Sequence, residues 1–324
     1  MLNNVKAGII GLDVLGRAYA GILKDHIKNL ELIGGSAKSQ KNLLFAKNDL
    51  SLQYVYSDEL KLIENHDIDA IFLFCPPEQK SFLACEAIKA GKNVFIGSPI
   101  ATNVEDSEVL LKTSKGRPSQ VTMAGFAHRL DPRLLKVKSL LDAKTIGSIR
   151  SIEISSTFTH GLYSKYLKSA GSEFIDFGLN EIDIFLWLIQ EPVYTIQSVH
   201  NKGENHVICT TQNAKIINIV VSSHNKRLQS QIKITGEKGI IHFDNLSKDF
   251  IYVMDGDDEV YKTFIIDSDV PRNNDYLHLK HFVDVVLTNQ KNNLVLDSNV
   301  EALKVAIAME KSKVLDRPVN LVEK

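Results

Sequence analysis

Cysteine is scarce. Three residues, Cys75, Cys85 and Cys209, form an odd set without metal-ligand spacing. They fit a reducing compartment and ordinary buried thiols rather than a disulfide framework. Aromatics are also few, with one tryptophan, Trp187. Neither sign of charge dominates: 38 Lys and Arg face 39 Asp and Glu, a net charge of −1. Nothing electrostatic therefore argues for a nucleic acid or an anionic membrane surface as partner. No apolar run approaches the ~20 residues that span a bilayer. The first residues lack the charged-then-apolar pattern of a secretion signal, so the expected location is cytoplasmic. The ten histidines are scattered. His278 and His281 read as one face of a helix, no third ligand accompanies them, and no metal is expected. Internal repeats and low-complexity linkers are absent as well. What remains is a chain of 324 residues, long enough for two domains that each bury a core.

The chain is organised around residues 5–16. An Ile-rich apolar run ends at Gly11, and Gly16 opens an amphipathic stretch, Arg17 to Lys24, that reads as a helix. A strand passing through a Gly-rich turn into a helix is where a dinucleotide pyrophosphate sits, because glycines permit the tight turn and the helix N-terminus offers free N–H groups. The full pattern is G-x-G-x-x-G. Here it reads Gly11-Leu12-Asp13-Val14-Leu15-Gly16, with a carboxylate in place of the middle glycine. A plain strand–turn–helix is the other reading of the same residues.

A second strand, Leu30 to Gly35, follows. In a dinucleotide fold its C-terminal end meets the adenosine ribose, where NAD sites carry an acid and NADP sites carry small or basic residues. This chain has Ser36-Ala37-Lys38-Ser39, with no acid. A bound cofactor would then be NADP in preference to NAD, with Lys38 pairing with the 2′-phosphate and Ser36 beside it. A solvated turn lysine is the alternative.

Further strands are expected at 54–56, 70–74, 93–96 and 119–125, with helices at 81–90 and 104–113. This alternation implies a doubly wound, mostly parallel sheet of the Rossmann type. Cys75-Pro76-Pro77 and Gly97-Ser98-Pro99 end two of these strands at the edge where such sheets hold ligands. Beyond residue 122 the pattern changes. A helix at 132–141, a strand at 149–157, a polar stretch at 160–172 and a helix at 174–189 lead into short strands between 193 and 265. Turn signals such as Gly236-Glu-Lys-Gly239 separate those strands. Helices at 274–287 and 299–313 close the chain. The expected division is 1–122, a Rossmann nucleotide-binding domain, and 123–324, an α/β domain with a large, open, mostly antiparallel sheet.

With these segments placed, the chain resembles the glucose–fructose oxidoreductase and inositol dehydrogenase family over nearly its full length. Gly8-Ile-Ile-Gly11 with Gly16 matches the family start. Residues 91–103, GKNVFIGSPIATN, resemble its segment ending in Glu-Lys-Pro-Leu-Ala, and residues 125–132, GFAHRLDP, resemble its Gly-Phe-Asn-Arg-Arg-Phe-Asp-Pro. Asp176 to Asp183, followed by Trp187, resembles the helix bearing Asp-x-x-x-His-x-x-Asp. Residues 234–241 and the closing Arg317 to Leu321 fit too.

The resemblance implies NAD(P)-dependent oxidation or reduction of sugars, polyols and related carbonyl compounds, and a homo-oligomer built through the C-terminal sheet. In the family, proton handling falls to the lysine of Glu-Lys-Pro and to the Asp and His of the helix. Here those positions are Ser98, Asp176 and Asn180, and only Asp176 keeps an acid–base side chain. The family's Pro-Pro-x-x-His reads Pro76-Pro77-Glu-Gln-Lys80. The cofactor positions implied are Gly11, Leu12, Asp13, Val14, Leu15, Gly16, Ser36, Lys38, Cys75, Pro76, Pro77, Pro99 and Arg129. For Asp176 the alternative is an ordinary paired helix carboxylate, and for Arg129 a surface arginine. His160, Lys165 and Lys168 stand before the site helix and could supply a replacement base, or be solvated loop charges. Two functions follow: an oxidoreductase acting on a small polyhydroxy or carbonyl substrate, or a catalytically impaired member acting as a ligand-binding sensor, scaffold or partner protein.

Overall fold

The computed structural model describes residues 4–157, 174–201, 203–222, 229–244, 250–255, 262–266, 274–288, 292 and 294–321. The polar stretch at 160–172, with His160, Lys165 and Lys168, lies outside the described residues, as does the side chain of Asp176. The chain forms two compact units. One comprises Met1–Ala127 with Pro271–Glu301, the other His128–Val270 with Ala302–Lys324.

In the first unit β1 (Val5–Ile10), β2 (Leu30–Ser36), β3 (Tyr54–Tyr56), β4 (Ala70–Leu73), β5 (Asn93–Ile96) and β6 (Thr122–Ala124) build one sheet. Its order is β3-β2-β1-β4-β5-β6, and every pairing is parallel. The order reverses between β1 and β4, the switch point at which open α/β sheets bind ligands beyond their strand C-termini. Helices α1 (Val14–Asp25), α2 (Gln40–Asn48), α3 (Glu59–Glu64), α4 (Pro77–Lys89) and α5 (Val104–Lys115) connect the strands. The central strand β1 is buried at all but one of its six positions, as a strand covered on both faces must be.

The pattern of apolar residues misses α2 and α3, which are short and weakly amphipathic. Caps define them instead: Ser39 Oγ accepts from the Asn42 amide, and the Asp58 carboxylate accepts from the Leu60 amide.

The expected division at 122/123 needs correcting, because residues 271–301 belong with the first unit. Helix α8 (Asn274–Thr288) is held there by ring packing. Phe282 meets Phe72 at 5.1 Å and Phe95 at 5.6 Å, and His278 meets Phe95 at 4.6 Å. His278 Nε2 also sits 3.3 Å from the Ala124 carbonyl. A helical periodicity shows that a face will be buried, not which sheet will bury it.

The second unit holds a nine-stranded sheet. Its strands are β7 (Ile149–Thr157), β8 (Val193–Asn201), β9 (Glu204–Thr211), β10 (Ile216–Ser222), β11 (Gln229–Gly236), β12 (Gly239–Asp244), β13 (Phe250–Asp255), β14 (Lys262–Ile265) and β15 (Val319–Asn320). The order is β14-β13-β12-β11-β7-β10-β9-β8-β15, with β7 and β10 parallel and the other pairs antiparallel. Alternate residues such as Ile152, Ile217, Ile232 and Ile234 are buried, while Val199, Ile208 and Ile216 on the opposite face are exposed. Helix α6 (Pro132–Asp142), a single π-helical turn at Phe174–Gly178 and α7 (Leu179–Ile189) also belong to this unit. Helix α9 (Leu296–Leu315) contributes Ser312, whose hydroxyl accepts from the Ser198 amide at 3.0 Å.

Candidate functional site

The turn after β1 needs both of its glycines. Gly11 has φ +91°, and a Cβ on it would lie 2.6 Å from the Cys75 amide nitrogen. A Cβ on Gly16 would lie 2.0 Å from the Gly11 carbonyl oxygen. Asp13 needs no glycine conformation, since its φ of −74° and ψ of −169° are ordinary extended backbone. Its carboxylate makes no capping bond to α1. Instead it accepts from Asn42 Nδ2 at 2.9 Å, and Asn42 Oδ1 accepts from Arg17 Nη2 at 2.6 Å. Arg17 is fixed in turn by the Leu12 carbonyl at 3.1 Å and by the Phe45 ring. Val14 and Leu15 stand exposed on the first turn of α1, whereas Leu12 is a core residue, 1% exposed. The cradle fits a dinucleotide: the tight turn is kept, and the substituted carboxylate is bound by a neighbouring amide.

At the end of β2, Ser36 is fully buried and its hydroxyl has no hydrogen-bond partner. Ser39 serves as the cap of α2. Lys38 is not an isolated cation, because its Nζ lies 2.5 Å from Glu59 Oε2. Residues 36–39 hold no acid, as the sequence reads, but a carboxylate from elsewhere reaches them. The carboxylate comes from α3, 21 residues further on, where local sequence gives no sign of it.

The ends of β4 and β5 carry the next group. Burial pushes the Cys75 thiol up to about 11, with the Lys80 charge pulling the other way and Glu59 adding to the rise. Pro76 is exposed, whereas Pro77 and Pro99 are buried. Ser98 is half-buried and joined to Pro99 by a cis peptide. Lys80 is 5% exposed, and its Nζ donates to the Gly97 carbonyl at 2.8 Å. An ammonium group thus lies beside position 98 although residue 98 itself supplies none.

In the second unit the expected helix over 174–189 opens with the π-helical turn that contains Asp176. Asn180 is exposed, while Asp183 is fully buried. Arg129 grips Asp183 at two points, Nε to Oδ2 at 2.7 Å and Nη2 to Oδ1 at 2.6 Å, and His128 Nε2 stands 3.0 Å from Oδ2. Trp187 flanks the Arg129 guanidinium at 5.7 Å. Arg129 is accordingly committed to Asp183, which the expectation of a cofactor-facing arginine did not anticipate. Glu181, on another face of α7, is buried with Oε2 unpartnered, and burial raises its carboxyl above the usual range. Among the described residues, no three His, Cys, Asp or Glu side chains cluster as metal ligands. No helix among them is long and apolar enough to cross a membrane.

A parallel sheet of this order with a glycine-bounded turn at its switch point is the architecture of a dinucleotide-binding module. Residues 5–125 match the family model described as oxidoreductase family, NAD-binding Rossmann fold. Over those residues the chain is similar to this family, that of the glucose–fructose oxidoreductases and inositol dehydrogenases. It is 23% identical over 333 residues to the myo-inositol 2-dehydrogenase of Thermotoga maritima, covering 98% of this chain and 99% of that protein. Its fold superposes with a TM-score of 0.85 on scyllo-inositol dehydrogenase from Lactobacillus casei with bound NAD(H) and scyllo-inositol, at 21% identity, covering 99% of this chain and 100% of that one. A levoglucosan dehydrogenase in complex with NADH gives a TM-score of 0.85 at 16% identity, with 99% and 100% covered. These relatives lend no support to a member that only binds.

Proposed function

We propose that the protein is an NAD(H)-dependent oxidoreductase acting on a CH–OH or carbonyl group of a small polyhydroxy compound of the inositol or sugar type. The observation that carries this reading is the bond from Asn42 to Asp13, which deals with the one departure from the dinucleotide turn and leaves the first turn of α1 free of a side-chain cap. The inositol dehydrogenases among the relatives supply the substrate class. Preference for NADP rested on the absence of an acid at 35–39 and on Lys38 with its flanking hydroxyls; the pairing of Lys38 with Glu59 weakens that ground.

When bound, the nicotinamide gives or takes the hydride. The Gly11–Gly16 turn would hold the pyrophosphate, with the ends of β4 and β5 alongside. Ser98 and Asn180 have neutral side chains that can orient hydroxyl groups but not exchange protons near neutral pH. Proton transfer then falls to Asp176, the titratable member of the three positions, with Lys80 contributing positive charge beside position 98.

The test is titration with NADH followed by fluorescence, then NAD⁺-linked oxidation of inositol isomers, aldoses and their keto forms. Saturable NADH binding with turnover of one member of the panel is expected. Binding without turnover of any member would overturn the catalytic half of the reading.

We further propose assembly into a homo-oligomer through the open face of the nine-stranded sheet. Val199, Ile208 and Ile216 are 57%, 49% and 45% exposed, on the face opposite the buried one. Light scattering should give a multiple of the 36.2 kDa chain mass, and Ile208→Glu should lower it.

A further inference from the structure

The Glu59 carboxylate, delivered from α3 to the end of β2, bears by its position on which dinucleotide binds. Parallel pairing sets Ser36 beside Tyr56, and the Ala37 amide donates to the Tyr56 carbonyl at 3.3 Å. The ends of β2 and β3 therefore lie side by side. Three residues after Tyr56 the chain enters α3 at Glu59, capped by Asp58. This brings the Glu59 side chain back over the strand ends, 12% exposed, to meet Lys38 Nζ at 2.5 Å. The Lys38 side chain is itself 67% exposed and free to swing, whereas Glu59 is held in place by burial.

We propose that Glu59 is the residue that selects NAD over NADP. This rests on the dinucleotide reading above and goes beyond it. In folds of this order the adenosine ribose meets the end of the second strand, and an acid there accepts from the 2′-hydroxyl. Here the acid is delivered from α3, within a lysine's reach of that strand end. An ionised carboxylate accepts hydrogen bonds and donates none, so it suits a ribose hydroxyl and repels a 2′-phosphate. Lys38 cannot offset this repulsion at no cost: pairing with the phosphate would strip Glu59 of its cation and leave the carboxylate facing a dianion. The pair reads as neutral to NAD and as a barrier to NADP. The same logic explains how the site discriminates although residues 36–39 contain no acid.

The experiment titrates the full-length protein with NADH and with NADPH by fluorescence, for the native chain, Glu59→Gln and Lys38→Met, with a melting curve for each. The native chain should bind NADH about tenfold or more tightly than NADPH, the size of one charge-assisted hydrogen bond. Glu59→Gln should tighten NADPH binding and shrink that ratio by about the same factor, because Lys38 is then released to the phosphate. Lys38→Met should weaken NADPH further and change NADH binding little. Native preference for NADPH overturns the inference. So does a ratio within twofold of native in a Glu59→Gln protein that melts normally. If Glu59→Gln does not fold, Lys38→Met decides: a loss of NADH binding as large as that of NADPH overturns the inference. Failure of the native chain to bind either dinucleotide overturns the nucleotide-binding reading itself, and is distinct from binding both equally.

Discussion

Asn42 Nδ2 donates to the carboxylate of Asp13 at 2.9 Å, joining the first turn of α1 to the first turn of α2. A carboxylate in place of the middle glycine should repel a pyrophosphate. Here its Oδ1 is engaged by the Asn42 amide, whose own Oδ1 accepts from Arg17 Nη2 at 2.6 Å. Ser39 caps α2 and so fixes the helix phase that aims Asn42 at the turn. The departure at 13 and the asparagine at 42 are two halves of one arrangement.

Asn42→Ala should weaken NADH binding by about 1 kcal/mol, roughly fivefold in Kd, since it releases the Asp13 carboxylate toward the phosphates. Asp13→Gly should bind NADH at least as tightly as the native chain, and Asn42→Ala in that background should then cost little. Fluorescence titration of the four proteins forms a closed cycle. Additive effects would show that the two residues act separately.

Asp183 is fully buried and holds both Arg129 and His128. Removing one partner of a buried pair strands the other, at a cost of roughly 3–5 kcal/mol. Asp183→Asn and Arg129→Met should each lower urea-unfolding stability by about that much. Asp183→Leu combined with Arg129→Met should recover part of the loss, because the stranded charge is gone.

Glu181 gives a pH dependence of determined sign. Its carboxyl lies above the ordinary value of 4.5 because of burial, although the Ser156 hydroxyl and the His128 charge oppose the rise. As pH climbs past the ordinary value, the unfolded chain releases its proton while the folded chain keeps it. Stability therefore falls over the window from 4.5 up to the raised folded value, then levels off. The slope from one group is at most about 1.4 kcal/mol per pH unit. Glu181→Gln should flatten that part of the curve and raise stability at neutral pH, read from urea midpoints at several pH values.

The strands were legible because β-period patterns and turn residues are local. Tyr54–Tyr56, Asn93–Ile96 and Ile149–Thr157 fall where the pattern places them. The glycines at 11 and 16 were legible because only glycine fits there. The pairs that qualify the site were not. Glu59 meets Lys38 across 21 residues and Asn42 meets Asp13 across 29, and each meeting depends on the phase of a short helix that apolar periodicity does not reveal. The placement of α8 on the first sheet was hidden for a related reason: Phe72, Phe95 and Phe282 are ordinary apolar positions until the chain returns to bring them together.

The role proposed for Lys80 answers the absence of a lysine at position 98. Lys80 enters from the start of α4, its ammonium anchored on the carbonyl of Gly97 at 2.8 Å. A buried cation near a helix N-terminus opposes both desolvation and the helix dipole, so its retention calls for a compensating use. Charge held one residue from Ser98 can favour the ionised form of a hydroxyl losing its proton, as a lysine at 98 would. Lys80→Met, which conserves length, should lower kcat by about 10–100-fold, toward the low end of what proton-transfer groups supply, with NADH binding changed less than twofold. Adding Ser98→Lys to that variant should restore most of the loss, whereas Ser98→Met should not. If Lys80→Met lowers the melting temperature and kcat together and Ser98→Lys rescues neither, Lys80 holds the turn in shape and the charge at this edge has no part in the chemistry.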